Sequence, residues 1–318
     1  MKVHLTFDIE VWCNGWQHLD RNFPAAFDRY VYGRSKHGEY ALPATLEILN
    51  RHGLRGVFFV EPLFAARFGS EFLGRIVRLI EDAGQEVQLH LHPEWTDEIR
   101  PPPIDDVSRK RQHLCYYTRA EQTQLIAFGL AMLREHARGR IDAFRAGSFA
   151  ANLDTYHALA TAGLSVDSSL NKIYDFSGSD LPERDNTGSA FRLGPVQVLP
   201  VTVFRDGLGR QRPAQVNACS LAEMKQALAH AEALGRRHFV LVSHNFEMLK
   251  PGSNEPDRIV VRRFEGLCRH LAAQRGRYEV CGFDADGAQA DDADSGPLQT
   301  SRWATLSRLG QQALRRLG

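Results

Sequence analysis

The chain has 318 residues, 43% of them hydrophobic and 24% charged, an ordinary globular composition with length for one large domain or two small ones. Its 39 basic and 38 acidic side chains leave a formal net charge of +1, which argues against a general nucleic-acid binder, since such a protein carries a basic surplus. The five cysteines (Cys13, Cys115, Cys219, Cys268, Cys281) are odd in number, dispersed and free of CxxC spacing, so neither a disulfide framework nor a thiolate zinc site is expected.

The N-terminus, MKVHLTFDIE, carries Asp8 and Glu10 where a signal peptide needs an unbroken apolar core. No later run is long enough to cross a bilayer, and the expectation is a cytoplasmic protein. Seven apolar β segments are predicted in chain order: KVHLTFDI (2–9), RGVFFVE (55–61), EVQLHLH (86–92), IDAFRAG (141–147), LSVDSS (164–169), VQVLPV (196–201) and HFVLVSH (238–244). Between them lie helical patterns at 42–53, 72–84, 120–139, 152–163 and 220–235, the first two closed by Gly as a helix C-cap would be. Strand alternating with helix means a parallel sheet, and its regularity favours a (β/α) barrel over an open doubly wound sheet. No GxGxxG or GxxxxGK follows the first strand, which weakens a nucleotide-binding reading. The long loops 11–39, 93–119, 170–195 and 202–219 follow strands, where barrels build pockets.

After Phe283 the composition turns small and acidic, DADGAQADDADSGP, and 284–300 is expected to be a flexible linker. It leads to a basic amphipathic helix over 301–318, in which Trp303, Leu306, Ala313, Leu314 and Leu317 share a face flanked by Arg302, Arg308, Arg315 and Arg316. Docking on its own domain is the plainer expectation for this helix, and contact with a membrane surface or a partner the alternative.

The chemistry lies at the strand ends. Alternation puts Thr6, Asp8 and Glu10 on one face of the first strand, and Gln88, His90 and His92 on one face of the third, with Val87, Leu89 and Leu91 turned toward helices. Two imidazoles and a carboxylate with room for water form a common catalytic set for zinc or another divalent transition metal. Arg145 ends the fourth strand, Asp167 the fifth and His244 the last, while Asn152 opens a helix. Ionisable residues at five strand ends aimed at one rim are hard to explain as surface decoration.

In order and spacing, TFDIE, HLHPEW, FRAGSFAAN, VDSS and LVSHNFEML resemble the motifs of the polysaccharide deacetylase family (NodB-homology, carbohydrate esterase family 4), over roughly residues 1–283. The resemblance implies an α/β fold, a distorted (β/α)7 barrel, and a hydrolase removing acyl groups, usually N-acetyl, from sugars with a divalent metal. Zinc is the first expectation; cobalt, manganese and nickel are alternatives. Carried over by position, Asp8 is the catalytic base, Arg145 orients it, His90 is a metal ligand, Asp167 is the acid of the fourth motif and favours protonation of His244, and His244 is the general acid. Two positions depart from the family pattern. Ile9 separates Asp8 from Glu10, so Glu10 takes the role of the usual adjacent metal-binding aspartate. The family's second histidine ligand falls four residues after the first, at Glu94, whereas alternation nominates His92. His92, an imidazole on the face of His90, is the first expectation, and Glu94 the alternative.

Trp12, Trp16 and Trp95 are candidate sugar-stacking rings, and Asn152 a candidate substrate contact. The expected partner is a carbohydrate, specifically a lipid- or nucleotide-linked acetamido sugar destined for a surface polysaccharide such as O-antigen. Two alternatives are a cyclic ureide or imide hydrolase on the same barrel and a carbohydrate-binding protein whose catalytic site has decayed.

Overall fold

The computed structural model describes residues 1–174, 181, 189–283 and 296–317. Its main sheet contains seven parallel strands, β1 (Lys2–Ile9), β2 (Gly56–Val60), β3 (Glu86–Leu91), β4 (Ala143–Ala146), β5 (Val166–Asp167), β6 (Val196–Val198) and β7 (His238–His244), in the spatial order β7-β1-β2-β3-β4-β5-β6. All seven expected segments are strands, the fifth only two residues long. Packed on the sheet are α1 (Leu42–Arg51), α2 (Ser70–Asp82), α3 (Arg119–Arg134), α4 (Leu153–Ala162), α5 (Leu221–Ala233) and α6 (Arg258–Ala273).

Local sequence explains these boundaries. Thr118 with Glu121, Asn152 with Thr155 and Ser220 with Glu223 form capping boxes at the starts of α3, α4 and α5, so each satisfies backbone N–H groups the helix cannot use internally. The strands are apolar on the face covered by helices, whereas the inner face mixes apolar residues with buried polar ones such as Thr6, Asp8, Gln88, His90 and Arg145. Phe7, Ile9, Phe58, Val60, Leu89 and Leu91 join the helix-side core, while Val57, Phe59, Ala143, Val166, Leu199, Val240 and Phe283 form a second cluster inside the curled sheet.

The barrel is distorted where β6 should meet β7. There the irregular segment after β6 closes the gap: Thr202 N donates to Val240 O at 3.0 Å, and Val242 N to Ala214 O at 2.9 Å. Of the expected linker, 284–295 lies outside the described residues, but its end is ordered: Leu298–Gln299 pairs in parallel with Val203–Arg205, and Leu298 is buried. α7 (Arg302–Leu317) follows and packs on α5.

Candidate metal centre and active site

Strand register gathers the polar groups. Asp8 on β1 lies beside His244 on β7, and His90 on β3 beside Arg145 on β4, so all four side chains enter the same end of the barrel. Glu10 and His92 directly follow the ends of β1 and β3 on the same faces. His90 Nε2 lies 3.1 Å and His92 Nε2 2.9 Å from one oxygen of Glu10, Oε1. Ligand atoms of Glu10, His90 and His92 fall within 4.8 Å of one another, as do those of Asp8, Glu10 and His244.

The second nitrogen of each imidazole decides what the first can do. His90 Nδ1 is 2.8 Å from the carbonyl oxygen of Arg145, and His92 Nδ1 is 3.2 Å from Glu94 Oε1. Both partners only accept when Glu94 is ionised, so both Nδ1 atoms donate and Nε2 is the atom each ring turns to Glu10, a lone pair when the ring is neutral and an N–H when it is protonated. With both rings neutral three acceptors converge on one point, an arrangement that calls for a cation; without one, a proton on an imidazole takes its place. Burial opposes ionisation of Glu10, yet His92 and His90 hold its carboxyl well below the usual range; His92 is pushed up, against its own burial, by Glu10 and Glu94. Two imidazole nitrogens and one carboxylate oxygen are a donor set that zinc and related divalent ions accept. Glu94, the alternative to His92, sits behind that ring on its Nδ1, the usual position of a carboxylate orienting a ligand histidine.

Asp8 is held by the fully buried Arg145, whose Nη1 is 2.6 Å from Asp8 Oδ1. The guanidinium also donates to Thr6 Oγ1 at 2.8 Å and to Ser168 O and Oγ at 3.0 Å, and it stacks 4.3 Å from the Phe59 ring centroid. Each of its three nitrogens is thereby engaged, and the second carboxylate oxygen of Asp8, Oδ2, is the one that faces His244.

His244 faces this group, its Nε2 4.0 Å from both Asp8 Oδ2 and Glu10 Oε1. The expectation that Asp167 keeps it protonated is not met. Asp167 is in register with Phe144, whose side chain packs in the helix-side core, and it receives bonds from Tyr156 Oη at 2.9 Å, Ser169 N at 2.9 Å and the Ser169 hydroxyl. It shapes the 168–169 turn that carries Arg145's partners. Burial lifts its carboxyl to about 6. The partner of His244 is Glu247, which sequence reasoning missed: its Oε1 is 2.8 Å from His244 Nδ1, and it also accepts from Gln215, Ser243 Oγ and the Asn217 backbone. Burial alone would lower the His244 pKa, but Glu247, with Glu10 and Asp8 nearby, raises it to about 9.

The expected sugar contacts are redistributed. Trp95 is 1% exposed and packs against Trp12, Trp16 and Phe68, so it is a core ring. Trp12 donates from Nε1 to Glu10 Oε2 at 2.6 Å and stands edge-on to His92, fixing a candidate ligand. Trp16 is partly exposed, with Lys110 Nζ 3.5 Å from its ring centroid. The Asn152 Oδ1 is engaged by its helix cap and by Gln122 Nε2 at 3.1 Å.

No protein-family model matches the chain, and no curated protein matches it either. Among solved structures, a candidate polysaccharide deacetylase from Mycobacterium smegmatis is similar at 22% identity and a TM-score of 0.51, covering 88% of this chain and 86% of that one. A family 4 carbohydrate esterase from Streptomyces lividans, solved with acetate, matches at 15% identity and a TM-score of 0.41 over 92% and 98% of the two chains. A family 4 pseudoenzyme from Bacillus anthracis matches at 14% identity and 0.42, over 87% and 62%. The first of these likenesses identifies the fold, the distorted (β/α)7 barrel of polysaccharide deacetylases.

Proposed function

We propose that the chain is a metal-dependent hydrolase that removes an N-acyl group, N-acetyl in the first instance, from a sugar. The observation that carries this reading is the meeting of two imidazole Nε2 atoms and one carboxylate oxygen at Glu10, His90 and His92, with the arginine-held carboxylate of Asp8 and His244 across the same cavity. The fold shared with the Mycobacterium smegmatis protein supports it. A divalent ion, zinc first, held by Glu10, His90 and His92 would supply Lewis acidity toward the acyl carbonyl and the attacking water.

The chain's own groups supply the proton transfers. Asp8, its Oδ1 fixed by Arg145, takes the proton of the attacking water on Oδ2. His244, oriented through Nδ1 by Glu247, delivers a proton from Nε2 to the leaving nitrogen. Glu94 and the Arg145 carbonyl keep His92 and His90 presenting Nε2.

We further propose that the sugar is a surface-polysaccharide precursor such as one of O-antigen, carried on a lipid or a nucleotide; the exposed apolar face of α7 supports the lipid-linked form. Acetate release from N-acetylated aminosugars by metal-loaded protein, lost in Asp8→Asn, tests the reaction class. Hydrolysis of allantoin-type rings with no acetate release would transfer the site to cyclic ureides.

A further inference from the structure

α7 sits on the domain the wrong way round for a helix that needs only a hydrophobic seat. Its docked face is small and polar. Arg308, 1% exposed, donates to Asp206 Oδ2 at 2.8 Å and to Glu223 Oε1 at 3.1 Å, and Thr305 Oγ1 donates to the same Glu223 oxygen at 3.1 Å. Gly207 N donates to Thr305 Oγ1 at 2.8 Å, Ser220 Oγ to Ala304 O at 3.0 Å, and Arg315 Nε to Asp257 Oδ2 at 2.6 Å. These directional bonds fix the rotation of the helix about its axis. The turn at Gly207 is packed so closely that a Cβ there would lie 2.3 Å from the Arg302 Cα.

The consequence is an apolar ridge facing outward. Trp303 is 81% exposed, Leu314 62% and Leu306 51%, and Leu208, on the turn beside the start of α7, is 58% exposed. From 303 to 314 the ridge runs about 16 Å along the axis at the usual helical rise. Such a cluster on a free surface marks an interaction site.

Charge identifies its occupant. Of the six arginines in residues 203–213 and 297–315, Arg212 pairs with the buried Asp206, Arg308 with Asp206 and the buried Glu223, and Arg315 with the buried Asp257. Arg205, Arg210 and Arg302 are exposed. A second copy meeting this patch about a two-fold axis would set arginine against arginine. A Trp- and Leu-bearing helix with a cationic border suits the headgroup region of an anionic bilayer, where the ring and the leucines enter the acyl boundary and the guanidinium groups meet phosphates.

We propose that α7, with the Leu208 turn, is a peripheral docking surface for anionic lipid membranes, held outward by the polar lock of Arg308 on Asp206 and Glu223. It stands independently of the deacetylase reading. The test is co-sedimentation of the full chain with vesicles of phosphatidylcholine containing about a third phosphatidylglycerol, against vesicles of phosphatidylcholine alone. Wild type should partition at least tenfold more to the anionic vesicles, and Trp303→Ala/Leu306→Ala should lose at least tenfold of that binding with an unchanged circular-dichroism spectrum. A second variant, Leu208→Ser/Leu314→Ser, should weaken it from outside the first pair. Equal sedimentation with both vesicle types, none with either, or concentration-dependent self-association that the ridge variants abolish would overturn the proposal, the last in favour of a second copy.

Discussion

Gly147, which follows β4, lies directly against His92: a Cβ at this position would stand 2.6 Å from His92 Nδ1, 2.7 Å from Cε1 and 2.8 Å from Cγ. Ordinary carbon contacts begin near 3.5 Å, so Gly147→Ala demands about 0.8 Å of movement from the ring or the backbone. The ring has little room to yield, since Glu94 holds its Nδ1 at 3.2 Å and Trp12 stands edge-on with centroids 4.8 Å apart. Metal sites tolerate about 0.2 Å in ligand distance, and loss of a group that orients a ligand typically costs 10–100-fold in affinity. Gly147→Ala should therefore weaken zinc binding by roughly that factor or more without deleting any ligand, as measured by competition with a chromogenic chelator. Gly129→Ala is the control: its Cβ would crowd Leu91 Cδ1 at 2.9 Å on the helix side, so it should lower the melting temperature and leave zinc affinity unchanged. Full affinity in Gly147→Ala, with a normal melting curve, would refute the placement of His92.

The remaining predictions address the roles separately. His92→Ala should abolish tight metal binding while Glu94→Gln weakens it about 10–100-fold, by the same competition assay; the reverse order would make Glu94 the ligand. Glu247→Gln puts a neutral amide in place of the charged acceptor that most raises the His244 pKa, and a charge-assisted bond is worth roughly 1.5–3 kcal/mol, so the loss is up to about 1–2 pH units. Because the general acid must be protonated, kcat/KM falls as pH rises through its pKa, so this alkaline limb should move to lower pH in the variant; an unmoved limb contradicts the assignment. Arg308→Met leaves Asp206 and Glu223 buried without their shared cation, which should cost about 3–5 kcal/mol in chemical denaturation, partly restored by adding Asp206→Asn and Glu223→Gln. Although burial opposes it, bonds from the Arg210 and Leu208 amides and from Arg212 hold the Asp206 pKa below its ordinary value. Its stabilising contribution is thus present above the unfolded pKa and lost as pH falls through the folded one, and the deficit of Arg308→Met should shrink on acidification.

Period-two alternation made much of the site legible, because a strand's register leaves no freedom about which face Asp8, His90 and Arg145 occupy. The same rule was available for Asp167 but gives no hint of which face is inward in a two-residue strand, and its register with Phe144 turns it to the helices. Glu247 was invisible for a different reason: it lies beyond β7 in a turn that folds back, and its four partners come from 215, 217, 243 and 244. The geometry that favours His92 over Glu94 lies in the positions of both ring nitrogens, which spacing does not carry. The capping role of Asn152 was legible in advance, since Asn followed three residues later by Thr is compatible with a capping arrangement. Trp95 turned out to be a core ring because aromatic residues in a long loop serve core and surface alike, and it packs against Trp12 and Trp16. In α7 the amphipathic pattern was correctly seen, but the inward turn of its polar face depends on Asp206 and Glu223, remote in sequence.

The most direct measurement is a zinc titration of metal-stripped protein, with acetate release from an N-acetylated aminosugar followed in the same samples. Wild type should bind a single tight ion and release acetate in proportion to its occupancy, and Glu10→Gln and His90→Ala should lose both. A wild-type chain that takes up no ion from saturating zinc, cobalt, manganese or nickel, or that releases acetate equally well when stripped, would contradict the account.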